Sequence, residues 1–218
     1  MIEENFQVAV NGRHITAVRV LPDGQGQKYL FIYAPGAGSN LNDPFGAYLG
    51  RRLAGEGIAT IRFQFPYMED GKRRPDSPKL LEETWRQVIQ TAGTGHQSLV
   101  IGGRSMGGRI ASQVVAQGAA VDGLALFAYP LRPPSNPSRV RDTHLADIGV
   151  PTFFCSGTRD TFATPGELAI AAAKVPNSSV RMLEGADHGF AVLKSSGRTR
   201  TDVWEEAADH LLAWLITV

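Results

Sequence analysis

Cysteine is almost missing from this chain: 218 residues contain one, Cys155. A single thiol excludes an internal disulfide framework and any multi-cysteine zinc cluster. No excess of either charge is present, with 22 Lys and Arg against 21 Asp and Glu and a formal net charge of +1. A chain so nearly neutral has no electrostatic footprint for nucleic acid or an anionic membrane. No apolar run approaches the ~18 residues of a membrane span. The longest, Gly123 to Leu131, has the length of a buried strand. The opening residues Met1-Ile2-Glu3-Glu4-Asn5 lack the basic and apolar regions of a secretion signal. These features lead us to expect a cytoplasmic protein without nucleic-acid or membrane partners. With 43% apolar and 20% charged residues it can bury a core, and its length fits one domain over residues 1–218.

What is present is a change of pattern. Phe6–Val10 and His14–Val20 alternate as strands do, joined by Asn11-Gly12, a pair that accepts the φ > 0 both turn positions need. After Gly24-Gln25-Gly26 the chain repeats strand, turn and helix. The strand candidates are Tyr29–Ala34, Ala59–Phe65, Ser98–Gly102, Gly123–Tyr129, Thr152–Ser156 and Val180–Leu183. Several are continuously apolar, as in strands covered on both faces. Asp43-Pro44, Ser77-Pro78 and Thr164-Pro165 each pair an N-cap residue with a first-turn proline, and Thr164–Glu167 has capping-box spacing. Apolar residues then recur at i, i+4: Phe45, Leu49 and Leu53; Leu81, Trp85 and Ile89; Ile110 and Val114; Leu168 and Ala172. The last helix carries two such rows, through Val203 and Trp204. A hairpin followed by alternating β and α units predicts an α/β fold, a mostly parallel sheet of about eight strands between helices.

The chemistry concentrates in Leu99-Val100-Ile101-Gly102-Gly103-Arg104-Ser105-Met106-Gly107-Gly108. Gly103-x-Ser105-x-Gly107 lies between an apolar strand and a helical pattern, the context of a nucleophile elbow. There a serine sits on a strained strand-to-helix turn, and side chains two residues either side would collide across it. The helix start beyond Ser105 offers backbone N–H groups and a partial positive charge to an oxyanion.

An acid and a base follow in order. Asp160 lies after Thr152–Ser156, and His188 lies after Val180–Leu183. In the order Ser105, Asp160, His188, each residue falls in a loop at the carboxyl edge of the sheet. His188 would take the Ser105 proton during attack and return it to the leaving group, with Asp160 fixing the imidazole tautomer. Asp187 adjoins His188 too closely in sequence to orient it. His14, His96 and His210 read as structural or solvated, and no motif places His144. Cys155 and the three tryptophans, Trp85, Trp204 and Trp214, read as core.

The loop after Tyr29–Ala34, Pro35-Gly36-Ala37-Gly38, lets backbone approach a substrate oxygen. The Ala37 and Met106 N–H groups are the expected oxyanion donors. Phosphate binding there fails on pattern: Leu41 occupies the third glycine position of GxGxxG, and no Gly-Lys-Ser/Thr follows.

These residues resemble the small bacterial predicted α/β-hydrolases related to dienelactone hydrolases. The matching stretches are Ala34–Gly38, Arg62–Met68, Gly71–Pro75, Gly102–Gly108, Ser156–Asp160 and Ala186–Phe190, spread over nearly the whole chain. The resemblance implies an α/β-hydrolase fold with Ser105, Asp160 and His188 as the triad. Two departures stand out: Pro35-Gly36 replaces the His-Gly of many oxyanion loops, and Ser105 stands where dienelactone hydrolases proper carry a cysteine.

The interval between the sixth and seventh strands, Pro130 to Pro151, is too short for a cap domain, so no large lid and an open site are expected. Lys72-Arg73-Arg74, with Tyr67 just before, could present Tyr67, Lys72 and Arg73 to an acidic substrate group, although charge runs are usually solvated. Arg104 could reach substrate or pack at the sheet edge. The expected activity is hydrolysis of a small ester, thioester or lactone without metal or organic cofactor. The competing class is a non-catalytic binding or interaction module that keeps the fold. The sequence leaves monomer and homodimer open.

Overall fold

Alternating side chains along the strands divide the core into two layers, one on each face of a single sheet. In β3 (Tyr29–Ala34), Leu30, Ile32 and Ala34 face one layer, while Phe31 and Tyr33 face the other. The structure, a computed structural model, describes residues 1–24, 28–133, 136 and 138–218. Gln25 and Gly26 of the glycine-rich turn, and Pro134, Ser135 and Pro137 of the 130–151 interval, lie outside the described residues.

The chain opens with β1 (Ile2–Val10) and β2 (Arg13–Leu21), an antiparallel hairpin closed at Asn11-Gly12, both with positive φ. Then come β3, α1 (Pro44–Gly55), β4 (Ala59–Phe63), α2 (Pro66–Glu69) and α3 (Pro78–Ala92). They are followed by β5 (Ser98–Arg104), α4 (Met106–Ala116), β6 (Gly123–Phe127), β7 (Thr152–Gly157), α5 (Pro165–Ala172), β8 (Ser178–Leu183) and α6 (Arg200–Leu215). The eight strands form one sheet in the order β1-β2-β4-β3-β5-β6-β7-β8. All neighbours from β4 onward are parallel; β2 meets β4 antiparallel. Helices α3, α4 and α5 cover one face and α1 and α6 the other, each through its apolar stripe.

The caps behave as their chemistry requires. Asp43 accepts from the Gly46 N–H, Ser77 from the Leu80 N–H, and Thr164 and Glu167 close a capping box. A second capping box, Thr199 with Asp202, starts α6; aspartate does there what glutamate does in the usual pattern.

Two strands end earlier than expected. The strand starting at Ala59 stops at Phe63, because Phe65 N-caps the short α2 whose first residue is Pro66. The strand starting at Gly123 stops at Phe127, where Ala128 turns to φ 46°. Between β6 and β7 the described residues hold one 3₁₀ turn, Thr143–Asp147, and no α-helix, so no large lid covers the carboxyl edge. No described helix is long and apolar enough to cross a membrane.

Candidate active site

Six parallel strands end on one rim, and four of the loops beyond them carry the residues singled out by sequence. Ser105 follows β5, Asp160 follows β7, His188 follows β8 and Ala37 follows β3. Ser105 has φ 53° and ψ −118°, a conformation a non-glycine residue holds only when its surroundings impose it. Its N–H is anchored to the Phe127 carbonyl at 2.8 Å, and its carbonyl accepts the Arg109 N–H at 3.0 Å as α4 begins.

The small residues flanking the serine are required, though for a different reason than collision with each other. A Cβ on Gly103 would lie 2.1 Å from the Ala34 carbonyl oxygen, and one on Gly107 would lie 2.3 Å from the same atom. The obstacle is therefore the exit of the neighbouring strand β3, which runs against both arms of the turn. Trp85 of α3 supports the elbow from below: its Nε1–H donates to the Gly107 carbonyl at 3.2 Å, while its ring packs edge-on against Phe63.

The structure brings the serine, histidine and aspartate together. Ser105 Oγ lies 2.9 Å from His188 Nε2, and His188 Nδ1 lies 2.8 Å from Asp160 Oδ2. The partners are 83 and 28 positions apart in sequence, so only the fold can bring them together. Asp160 is buried, and its carboxylate also accepts from Ser156 Oγ at 3.1 Å and from the Phe162 N–H at 2.8 Å. Those donors stabilise the ionised carboxylate away from water. They also fix which oxygen faces the imidazole. Phe162 then lays its ring 4.2 Å from that of His188. Asp187, by contrast, uses its carboxylate on the Gly189 and Ala191 N–H groups of its own loop.

The loop after β3 is held in place by two anchors. Gly36 runs so close to the elbow that a Cβ on it would sit 3.4 Å from the Ser105 Cβ. Gly38 donates its N–H to the Tyr67 hydroxyl at 3.0 Å. Between them the Ala37 N–H, like that of Met106 at the start of α4, donates to no acceptor among the described residues. Both residues line the same cleft as Ser105 and His188.

Asp43 is a residue whose second role the sequence concealed. Beyond capping α1 it accepts from Tyr33 Oη at 2.6 Å and from Arg104 Nη2 at 3.1 Å, and Ser39 Oγ lies 3.4 Å away. One buried carboxylate thus ties β3, the start of α1 and the residue before Ser105. Burial, with the Asp43 charge second, pushes the Tyr33 hydroxyl well above the usual tyrosine range, which keeps it a donor. Arg104 thus bonds Asp43 and also lines the cleft.

The cleft is about 470 Å³. Its lining includes Pro75, Asp76, Pro78 and Leu81, together with Arg109, Pro130, Arg141 and Phe162. The basic run lies away from it. Lys72 Nζ bonds Asp70 at 2.7 Å on the exposed surface, Arg73 is exposed, and Tyr67 is buried with its hydroxyl on Gly38. Solvation and loop support, rather than contact with the cleft, account for these three. His144 is also outside the lining, against Ser112 and Tyr129. Cys155 is buried in the core, and burial pushes its thiol far above the range where a thiolate forms. Among the described residues no group of His, Cys, Asp and Glu side chains has a metal-binding arrangement.

A family model described as alpha/beta hydrolase domain matches residues 27–216. Solved structures agree in fold. The chain is similar to Est1E from Butyrivibrio proteoclasticus, with TM-score 0.76, 12% identity, and 97% of this chain and 99% of that one covered. It is also similar to a putative dienelactone hydrolase from Klebsiella pneumoniae, with TM-score 0.75, 19% identity, and 100% and 99% covered. A dienelactone hydrolase from Anabaena variabilis superposes with TM-score 0.73 at 20% identity, covering 95% of each chain.

Proposed function

The chain belongs to the alpha/beta hydrolase domain family, and from that premise we propose that it is a serine hydrolase that cleaves a small carboxylic ester, or a thioester or lactone. The observation that carries the reading is the continuous hydrogen-bonded line Ser105 Oγ–His188 Nε2, His188 Nδ1–Asp160 Oδ2, at 2.9 and 2.8 Å. The likeness to an esterase domain from Rhodothermus marinus and to dienelactone hydrolases supports the substrate class.

In this reading His188 Nε2 accepts the Ser105 proton as Oγ attacks the substrate carbonyl. The oxygen that becomes an oxyanion is held by the Met106 and Ala37 N–H groups. His188, now imidazolium and stabilised by Asp160, passes its proton to the leaving alcohol, thiol or ring oxygen, and an acyl-Ser105 remains. Water enters, gives a proton to His188, and hydrolyses the acyl group by the same route in reverse. No cofactor is needed for this sequence, and residues 1–218 act as one domain on a small-molecule substrate.

The uncovered cleft suits short acyl groups. A series of p-nitrophenyl esters tests the proposal: turnover should peak at short to medium chains, and S105A should abolish it while remaining folded. Activity unchanged in S105A, or rising steadily toward long chains, would overturn the reading.

A further inference from the structure

We propose that Arg109 and Arg141 form an anion subsite in the cleft beside Ser105, and that the substrate carries a carboxylate or phosphate held there. This names the substrate class of the reaction proposed above and rests on that reading for its catalytic consequence.

Three arginines, Arg104, Arg109 and Arg141, line the cleft with one acidic residue, Asp76. Arg104 is paired with Asp43. Asp76 accepts the Tyr67 N–H at 2.9 Å and makes no ion pair with either remaining arginine. Arg109 gives one N–H to Gln113 Oε1 at 3.1 Å and keeps a buried Nε–H without an acceptor. Arg141 makes no ion pair among the described residues. Two partly buried cations thus line the same cleft, near enough for the charge of one to act on the other. Such an arrangement is costly alone and is relieved by an anion that accepts from both.

Their electrostatics agree. Burial lowers the pKa of Arg109, the positive charge of Arg141 adds to the effect, and Tyr129 and Glu82 only partly oppose it. Burial and then Arg139 lower that of Arg141. Glu82, on α3, is nearest to Arg86 at 3.5 Å and pairs with neither cleft arginine.

The backbones of both arginines are pinned by one polar cluster behind the cleft. Ser112 Oγ donates to the Arg109 carbonyl at 2.7 Å, and Tyr129 Oη donates to the Arg141 carbonyl at 2.9 Å. Burial pushes the Tyr129 hydroxyl up to about 12, so it stays a donor. Each hydroxyl proton is then committed. His144 Nε2, 2.8 Å from Ser112 Oγ and 3.4 Å from Tyr129 Oη, must therefore carry the hydrogen that joins them. A solvated charge run has no such support. This cluster ties α4, through the Arg109 carbonyl, to the loop after β6, through the Arg141 carbonyl.

Two measurements decide the matter. The first compares p-nitrophenyl butyrate with the p-nitrophenyl monoester of glutaric acid, which carries a free carboxylate. The wild type should favour the charged ester in kcat/KM. R109Q and R141Q should each reduce the charged-to-neutral ratio at least tenfold, chiefly through KM. R51Q, an equal change of net charge at an exposed position, should leave it unchanged.

The second titrates the protein with glutarate and with inorganic phosphate and follows Tm. A saturable rise in the wild type that is absent in R141Q supports the subsite, and the anion that gives the larger rise identifies the group. This arm needs no turnover, so an inert but anion-responsive protein would sink the hydrolase reading and leave the subsite standing. A wild type that prefers the neutral ester and shows no Tm response to either anion overturns the subsite, whether or not the variants fold.

Discussion

The carbonyl oxygen of Ala34 lies where a side chain on Gly107 would begin: a Cβ there would be only 2.3 Å away. The end of β3 and the start of α4 are therefore in backbone contact, which seats Ser105 against the loop that carries Ala37. Because the obstacle is main chain on both sides, it cannot be relieved by a rotamer change. G107A should lose ~3 kcal/mol or more, or fail to fold, by overpacking. At Gly166 in α5 a Cβ would meet nothing within 4 Å, and G166A should stay within ~1 kcal/mol of the wild type. Urea denaturation of both checks the contrast; equal effects would contradict it.

In the proposed mechanism Asp160 acts through the tautomer and charge of His188. D160N keeps the side-chain shape, its one oxygen can stay on the Phe162 N–H, and the Ser156 hydroxyl can turn to accept from the new amide, so the fold should survive. The rate should fall on the order of 10⁴-fold in kcat, the scale seen when a buried orienting carboxylate becomes an amide. Steady-state kinetics beside a melting curve separates this from unfolding. A loss below tenfold would mean that Asp160 does not orient the base.

Tyr67 holds the loop after β3 through the Gly38 N–H, and in the proposed mechanism it serves that loop rather than the substrate. Y67F removes the acceptor for the Gly38 N–H and should cost ~1 kcal/mol of stability. It should lower kcat by ~10-fold for every ester alike, less than the 10²–10³ expected for losing an oxyanion donor outright. A rise in KM confined to particular substrates would instead place Tyr67 in contact with them.

His144 is held below the usual histidine pKa by burial first and by the Arg109 charge second, with Asp142, Asp147 and Glu82 opposing. Its unfolded form therefore binds a proton more readily than its folded form. Stability then drops as pH falls through the unfolded value near ~6.5, and the loss levels off below the lowered folded value. H144Q retains an N–H for Ser112 but cannot titrate. Urea unfolding between pH 8 and 5 should show the wild type losing stability relative to H144Q as pH falls; parallel curves would contradict the assignment.

Much of this arrangement is visible in the sequence because it depends on local chemistry. Asn11-Gly12, the proline-marked caps and the i, i+4 stripes each act over a few residues, and they place the hairpin, the helices and most strands. The order Ser105, Asp160, His188 is readable because the rim of a parallel sheet collects loops in chain order. What escapes is set by contacts between distant elements. Asp43 looks like a helix cap, since nothing local indicates that Tyr33 and Arg104 converge on it. Arg109 and Arg141 look like isolated charges on separate elements, while Lys72-Arg73-Arg74 draws notice as a run although exposure keeps it solvated. The requirement for glycine at 103 and 107 is legible, but its cause, the carbonyl of Ala34, is not.

The central claim is that Ser105 is an activated nucleophile, and covalent labelling by a fluorophosphonate followed by peptide mass mapping tests it most directly. One adduct is expected, on Ser105, absent in S105A and formed far more slowly in H188A. A folded protein that takes no label, or takes it on another residue, would contradict that claim.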